Sequence, residues 1–300
     1  MTTAAPTLPL KTETDRVNEV GADDLQMWAV TTIIDALDKP ALMYWSAEQS
    51  ALAAVHEANT WRGMLADCPE DCEHSSANEC AAVKWLRDAH KRRPRQKRSA
   101  TKLGQLVHAA CEKYALDGRR PSDIDDEVLP FVQRFEEWCD RFQPSYEAVE
   151  TVVYSPTYGY AGTCDAFLSI DGTRFACDYK TTRQPRDSNG REKTPYPEVS
   201  LQLAAYRYAD FAATWRPRRT ERRRQRYYLL SPSEREWAVE VPKVEGGLCI
   251  QLTPESCEAY PVRCDTAAHR SFLYVQEAAR WSYDQSRDAV KTEPLMARGT

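Results

Sequence analysis

Apolar residues in this chain recur at two spacings, and the change from one to the other divides it. Met27, Val30, Ile33, Ile34 and Leu37 return every three or four positions. That spacing predicts a helix over 25–37, capped by Asp23 or Asp24 and broken at Lys39-Pro40. The same period predicts helices over 41–59, with Leu42, Trp45, Leu52 and Val55 on the apolar side, and over 81–90. A helix over 102–116, capped by Ser99 or Thr101, ends at Asp117-Gly118. The next, over 126–142, turns Val128, Phe131, Val132, Phe135 and Trp138 inward. From Tyr146 the period drops to two, predicting strands over 146–154, 159–170 and 173–182. The last two flank Asp171-Gly172, the strongest short hairpin signal. A helix over 197–215 follows. Then come a second hairpin, 225–230 with 236–241, turning at Ser231-Pro232, a strand over 248–252, and a closing helix over 265–282 with Phe272, Val275 and Trp281 inward.

Composition places this pattern in an ordinary globular chain. Its 300 residues, 28% charged and 10% aromatic, fit one large domain or one with appendages. The reading divides it into a tail (1–20), an N-terminal helical region (21–100), a core (101–285) and a second tail (286–300). No long uncharged apolar run is present, and the first twenty residues lack a secretory h-region. A cytoplasmic protein with no membrane partner is expected, in the host cytoplasm if phage-encoded. Without a secretion signal the ten cysteines are not expected to pair. Cys111, Cys139, Cys164 and Cys177 read as small buried apolar groups.

The net charge of −5 excludes a uniformly basic nucleic-acid binder, so local sign matters. Lys91 to Arg98 reads K-R-R-P-R-Q-K-R, and Arg216 to Arg226 holds seven arginines against Glu221 alone. Arg92, Arg93, Arg218, Arg219 and Arg222 are candidates for phosphate contact; the plain reading is solvated loops. No P-loop or dinucleotide fingerprint occurs, so ATP-driven chemistry has no site in this sequence.

Alternation along the hairpin puts Asp178 and Lys180 on one side and Cys177 and Tyr179 on the other. With Asp165 they supply two carboxylates and an ammonium, the groups phosphodiester cleavage needs. His108 and Glu112 share a helix face, as do Gln202 and Tyr206. Glu150, on the first core strand, is either an outer contact to metal or water or an exposed strand glutamate.

The order Gly104-x-x-x-His108, Gly162-Thr163-Cys164-Asp165, Asp178-Tyr179-Lys180 and Gln202-Leu203-Ala204-Ala205-Tyr206 resembles the PD-(D/E)XK nuclease superfamily. Within it, the pattern is similar to the RecB-type exonuclease branch, which includes CRISPR-associated adaptation and phage recombination nucleases. The resemblance covers about Leu103 to Tyr228. T-T-I-I-D-A-L-D-K-P-A-L-x-x-W, from Thr31, resembles the N-terminal segment of phage-encoded members. The resemblance implies an α/β fold with a restriction-endonuclease-like core: a mixed central sheet flanked by helices, with an N-terminal helical extension. It implies Mg²⁺ or Mn²⁺ held by His108, Asp165 and Asp178. Lys180 would position or deprotonate the nucleophile or stabilise developing charge, and Gln202 and Tyr206 would orient phosphate or water. Glu112 and Glu150 stand as secondary candidates. The implied activity is a metal-dependent DNA exonuclease of the phage recombination or repair type, acting on linear duplex or single-stranded DNA. A single-strand annealing or recombination protein is the implied partner, and an oligomer one arrangement. The alternatives are a structure-specific or restriction-type endonuclease on the same fold, and a non-catalytic DNA-binding protein. Intact Asp165, Asp178 and Lys180 count against the last.

Cys68, Cys72, His74 and Cys80 fall within thirteen residues. Four such ligands suit structural Zn²⁺ in a loop (68–80) too short for its own core; the plain reading is a polar loop with incidental thiols. An iron–sulfur cluster ranks below zinc, because Cys249, Cys257 and Cys264 are too widely spaced for the downstream set that relatives use.

Overall fold

The computed structural model describes residues 20–37, 40–91, 100–186, 190–222, 225–286 and 289–290. Residues 1–19 and 291–300, most of the two expected tails, lie outside the described residues, as do Ser99, Arg92 and Arg93. In chain order the elements are β1 (Leu25–Ala29), α1 (Val30–Ile34), α2 (Pro40–His56), α3 (Ala58–Ala66), α4 (Ala81–Arg87), α5 (Ala100–Asp117) and α6 (Leu129–Phe142). There follow β2 (Ser145–Ser155), β3 (Tyr160–Ile170), β4 (Thr173–Thr181), α7 (Val199–Arg207), β5 (Phe211–Ala212), β6 (Arg218–Arg222) and β7 (Gln225–Leu230). The last are α8 (Pro232–Arg235), β8 (Gly246–Leu252), β9 (Cys257–Val262) and α9 (Thr266–Arg280). Residues 38–99 form one unit; the chain up to Leu37 and from Ala100 forms the other. Residues 21–37, expected in the N-terminal region, fall in the larger unit instead.

The larger unit is built on a mixed sheet ordered β6-β7-β1-β3-β4-β8-β9, with β2 on β3 and β5 on β2. Asp171 (φ 50°) and Gly172 (φ 82°) both take the left-handed conformation that a two-residue turn between twisted strands requires, so the β3–β4 hairpin forms as its turn chemistry dictates. Side chains alternate across it. Ala166, Leu168, Cys177 and Tyr179 pack with Val107, Cys111, Phe131 and Phe135 of α5 and α6. Phe167 and Ala176 pack on the other face, with Leu203 of α7 and Phe272 of α9. The sheet is thus covered by helices on both faces, an α/β arrangement.

Several expected elements differ. Residues 25–37 are a strand followed by one helical turn. Met27, Trp28 and Ala29 are buried because β1 is clamped between β3, in parallel, and β7, antiparallel. Tertiary pairing overrides the local helical spacing there. The helix expected to reach Trp215 stops at Arg207, since Phe211 and Ala212 pair with β2. Ser231 begins helix α8 instead of a hairpin turn. Its Oγ accepts from Glu234 N (3.2 Å) while its N–H donates to Glu234 Oε2 (2.7 Å), a capping box. The partner of β7 is accordingly β6, on its N-terminal side, and Val239 makes only an isolated bridge to Ala212. In α2, Leu52 and Val55 are exposed, and so is Trp281 beyond α9.

Arg218 was one of the candidates for phosphate contact. Its guanidinium instead donates to both Asp24 oxygens (2.6 Å each) and to Glu234 (3.1 Å), tying the start of β1 to β6 and α8. The Arg218 hydrogen bond holds Asp24 below its ordinary value. A depressed carboxylate contributes stability above the ordinary pKa and loses it as pH falls through the folded one. Asp24→Asn is therefore expected to cost about 1–2 kcal/mol near neutrality, discounted for the part-exposed Arg218. The gap to wild type should close below about pH 4. Urea unfolding of both proteins across pH checks this.

Candidate metal and phosphate site

The site arises where the sheet splits. On one edge of β3, β1 pairs with Tyr160 and Ala161, and β4 pairs only from Ala166 onward. Between these pairings, Gly162, Thr163 and Asp165 line a cavity of 960 Å³. Past Cys177, β4 parts from β3 while it stays paired with β8, so Tyr179 N–H has no β3 carbonyl to meet. It donates to Asp165 Oδ2 instead, at 2.6 Å, which fixes that carboxylate at the fork. Because the sheet is open here, side chains from the helices on both faces meet.

From the α5 face, His108 brings Nδ1 to 3.6 Å from Asp165 Oδ2, its ring packed edge-on against Tyr179. From the α7 face, Gln202 donates to Asp178 Oδ1 (2.6 Å) and to the Tyr206 hydroxyl (3.0 Å). Lys180 Nζ lies 2.6 Å from Asp178 Oδ2 and 3.4 Å from Gln202 Oε1. Asp178 and Lys180 share a side, as alternation requires.

Glu150 reaches the same place by a backbone irregularity. It stands at φ 47° between the Val149–Ala166 and Thr151–Cys164 pairs, which sets it opposite Asp165. Ligand atoms of His108, Glu150 and Asp165 lie within 4.8 Å of one another. That set is not the expected His108, Asp165 and Asp178: both Asp178 oxygens face Gln202 and Lys180. Glu112 lines the cavity one turn beyond His108, outside the three.

The two aspartates are pushed apart electrostatically. Burial drives the Asp165 carboxyl upward, but His108, the Tyr179 N–H and Lys180 bring it below the ordinary carboxylate range. Burial dominates at Asp178, which sits above that range despite Lys180. Burial works against the charge on Lys180 and on His108, yet Asp178 raises the first and Asp165 the second. The carboxylates thus favour the positive forms of Lys180 and His108, and those groups in turn favour the ionised form of Asp165.

Of the basic candidates, Arg219 faces the cavity. It donates to Thr163 Oγ1 (3.1 Å) and lies over the Tyr228 ring (4.8 Å), whose hydroxyl is 2.8 Å from the same Thr163 oxygen. Arg222 lies elsewhere, in a pocket with Gln26, Trp28, Tyr227 and Asp284. Sequence reasoning missed Arg226 and Lys102, which also line the cavity; Arg226 donates to Thr31 Oγ1 at 3.3 Å. Their signal was available in the basic run and in the positions flanking Gly104.

In the 38–99 unit, Cys68, Cys72, His74 and Cys80 also converge, their ligand atoms within 4.8 Å of one another. Both groups could hold a metal ion.

No protein-family model matches this sequence, and no curated protein matches it. Sixteen chains of solved structures match. The crystal structure of SSO0001 is similar over 66% of this chain and 82% of its own, at 15% identity and a TM-score of 0.28. That superposition is too loose to support an argument. Among the described residues no helix is long and apolar enough to cross a membrane.

Proposed function

We propose that this chain is a metal-dependent deoxyribonuclease that hydrolyses phosphodiester bonds, an exonuclease of the recombination or repair type. One observation carries the reading. Asp165 and Glu150, the Asp178–Lys180 pair, His108 and Gln202 come from five separate elements into one cavity whose wall presents Arg219 and Arg226. A hydrolase of a polyanion needs both halves, carboxylates for a cation and cations for the flanking phosphates. The exonuclease assignment follows the resemblance of the motifs to the RecB-type branch.

The donor set fits a hard divalent ion. Octahedral bonds of about 2.1 Å place donors about 3–4 Å apart, close to the span of His108, Glu150 and Asp165. Two carboxylates and an imidazole suit Mg²⁺ or Mn²⁺, with the imidazole favouring Mn²⁺. When bound, such an ion polarises the scissile phosphate and lowers the pKa of a water. Lys180, held by Asp178, supplies an ammonium for charge developing on the phosphoryl oxygens or for holding the attacking water. Gln202 fixes Asp178 and presents its carbonyl to Lys180. Arg219 and Arg226 receive neighbouring phosphates. For the Cys68, Cys72, His74 and Cys80 group the ion proposed is Zn²⁺.

Glu150→Gln is expected to weaken Mn²⁺ binding at least tenfold, roughly the scale of perturbed metal sites. Titration calorimetry at fixed pH checks it; unchanged affinity would remove Glu150 from the ligand set. The activity itself is tested by incubating end-labelled linear duplex, circular duplex and single-stranded DNA with Mn²⁺ or Mg²⁺. Metal-dependent loss of linear DNA only supports an exonuclease. Cutting of circles converts the proposal to an endonuclease. Intact DNA in every arm overturns catalysis and leaves DNA binding.

A further inference from the structure

Among its described residues, the 38–99 unit shows little of the apolar core that normally holds a unit of its size together. Among its described side chains the buried ones are Ala53, Cys80, Ala82 and Ala89, and α3 buries none. Met43, Tyr44, Leu52 and Val55 of α2 are exposed. Units this small usually need a metal or disulfides when the apolar core is thin. Disulfides are not the answer here, because Cys68, Cys72 and Cys80 are free thiols.

The segment joining α3 to α4 has neither helix nor strand, yet it brings four soft or borderline ligands together. Cys68 Sγ lies 3.8 Å from Cys80 Sγ, and His74 Nδ1 lies 3.2 Å from Cys80 Sγ and 3.4 Å from Cys72 Sγ. His74, which takes φ 54°, has its ring against both thiols. Tetrahedral zinc with Zn–S bonds of about 2.3 Å and a Zn–N bond of about 2.0 Å sets S···S edges of about 3.8 Å and S···N edges of about 3.5 Å. The observed separations are those of ligands around one ion. In a [4Fe–4S] cluster each thiolate takes a different iron, and in a [2Fe–2S] cluster the four ligands divide two to an iron, so in both the ligand set must span the cluster. Cys249, Cys257 and Cys264 are each buried in the larger unit.

The geometry points to Cys68, Cys72, His74 and Cys80 forming a structural Zn²⁺ site that serves as the folding core of the 38–99 unit. Four protein ligands leave no position for water or substrate, so the ion staples α3 to α4 without taking part in a reaction. The inference extends the zinc assignment and is independent of the nuclease reading.

The test uses the full chain. Metal analysis of protein purified without chelator is expected to give one zinc per chain, kept in Asp165→Ala and lost in Cys72→Ser. Co²⁺ exchanged for zinc should show the visible bands of a tetrahedral thiolate complex. Limited proteolysis should then cut within 38–99 after chelation, leave the larger unit protected, and be reversed by added Zn²⁺. The reversal in wild-type protein keeps the test valid if Cys72→Ser does not fold. Absence of zinc, or iron with acid-labile sulfide in its place, overturns the site. Stoichiometric zinc whose removal leaves 38–99 protected keeps the metal but overturns the folding role.

Discussion

Lys180→Ala should lower metal-dependent DNA cleavage about a thousandfold, the scale set by deleting one preorganised charge donor at a reacting centre. The ammonium sits on Asp178 at 2.6 Å and is the positive side chain nearest the carboxylates from within β4 itself. Arg219 and Arg226 stand on a different wall, so neither replaces it. The fold should survive. Gln202 still donates to Asp178 Oδ1, and the Asp178 carboxyl, already raised by burial, can take a proton rather than stand as an uncompensated charge. A loss of about 1–2 kcal/mol is expected in urea unfolding, well below the cost of stranding a fully buried charge. Initial rates on linear duplex with Mn²⁺, measured beside unfolding curves, decide it. Cleavage at wild-type rate would remove Lys180 from the reaction.

Gly162→Ala should damage the site through packing alone. A Cβ on Gly162 would come 2.6 Å from Tyr206 Cε1 and 3.0 Å from Val30 Cγ2. Both neighbours are buried, at 1% and 0% exposure, so neither can swing away. Overpacking of this kind costs about 1–3 kcal/mol. Cleavage should fall further than the folded fraction does, by about a hundredfold. Tyr206 accepts from Gln202, and Gln202 holds Asp178, so a displaced ring disturbs the carboxylate two contacts away. A rate that drops only in step with stability would show that the ring does not position the site.

These contacts indicate which parts of the molecule a sequence can reveal. The β3–β4 hairpin was legible because Asp171-Gly172 and strict alternation act within a dozen residues. That His108 and the Gln202–Tyr206 pair lie on helix faces was legible from spacing, whereas their place in the site came from the resemblance of the motifs. Glu150 was not assigned with the others, because it stands in a left-handed conformation that nothing local in the sequence marks. The strand at 25–29 was hidden for a different reason. Its apolar spacing is helical, and only two remote partners, β3 and β7, make it extended. Strand β9 carries Pro261, which reads as a breaker but is tolerated on an outer strand of the sheet. Arg218 looked like its neighbours in a basic run; its engagement with Asp24 depends on a contact 194 residues away.

The position of β1 also bears on how the molecule assembles. Leu25 pairs with Leu230, and Trp28 with Tyr160 and Tyr227. The β6–β7 hairpin, with its arginines, joins the rest of the sheet through β1. During synthesis this strand therefore emerges long before its partners. At about 5–20 residues per second, the roughly two hundred residues to Leu230 take about 10–40 s. Closing such a long loop has a high contact order and belongs late in folding. The arginine-bearing wall of the cavity is thus expected to be among the last parts of the sheet to form, after the hairpin that carries Asp165, Asp178 and Lys180.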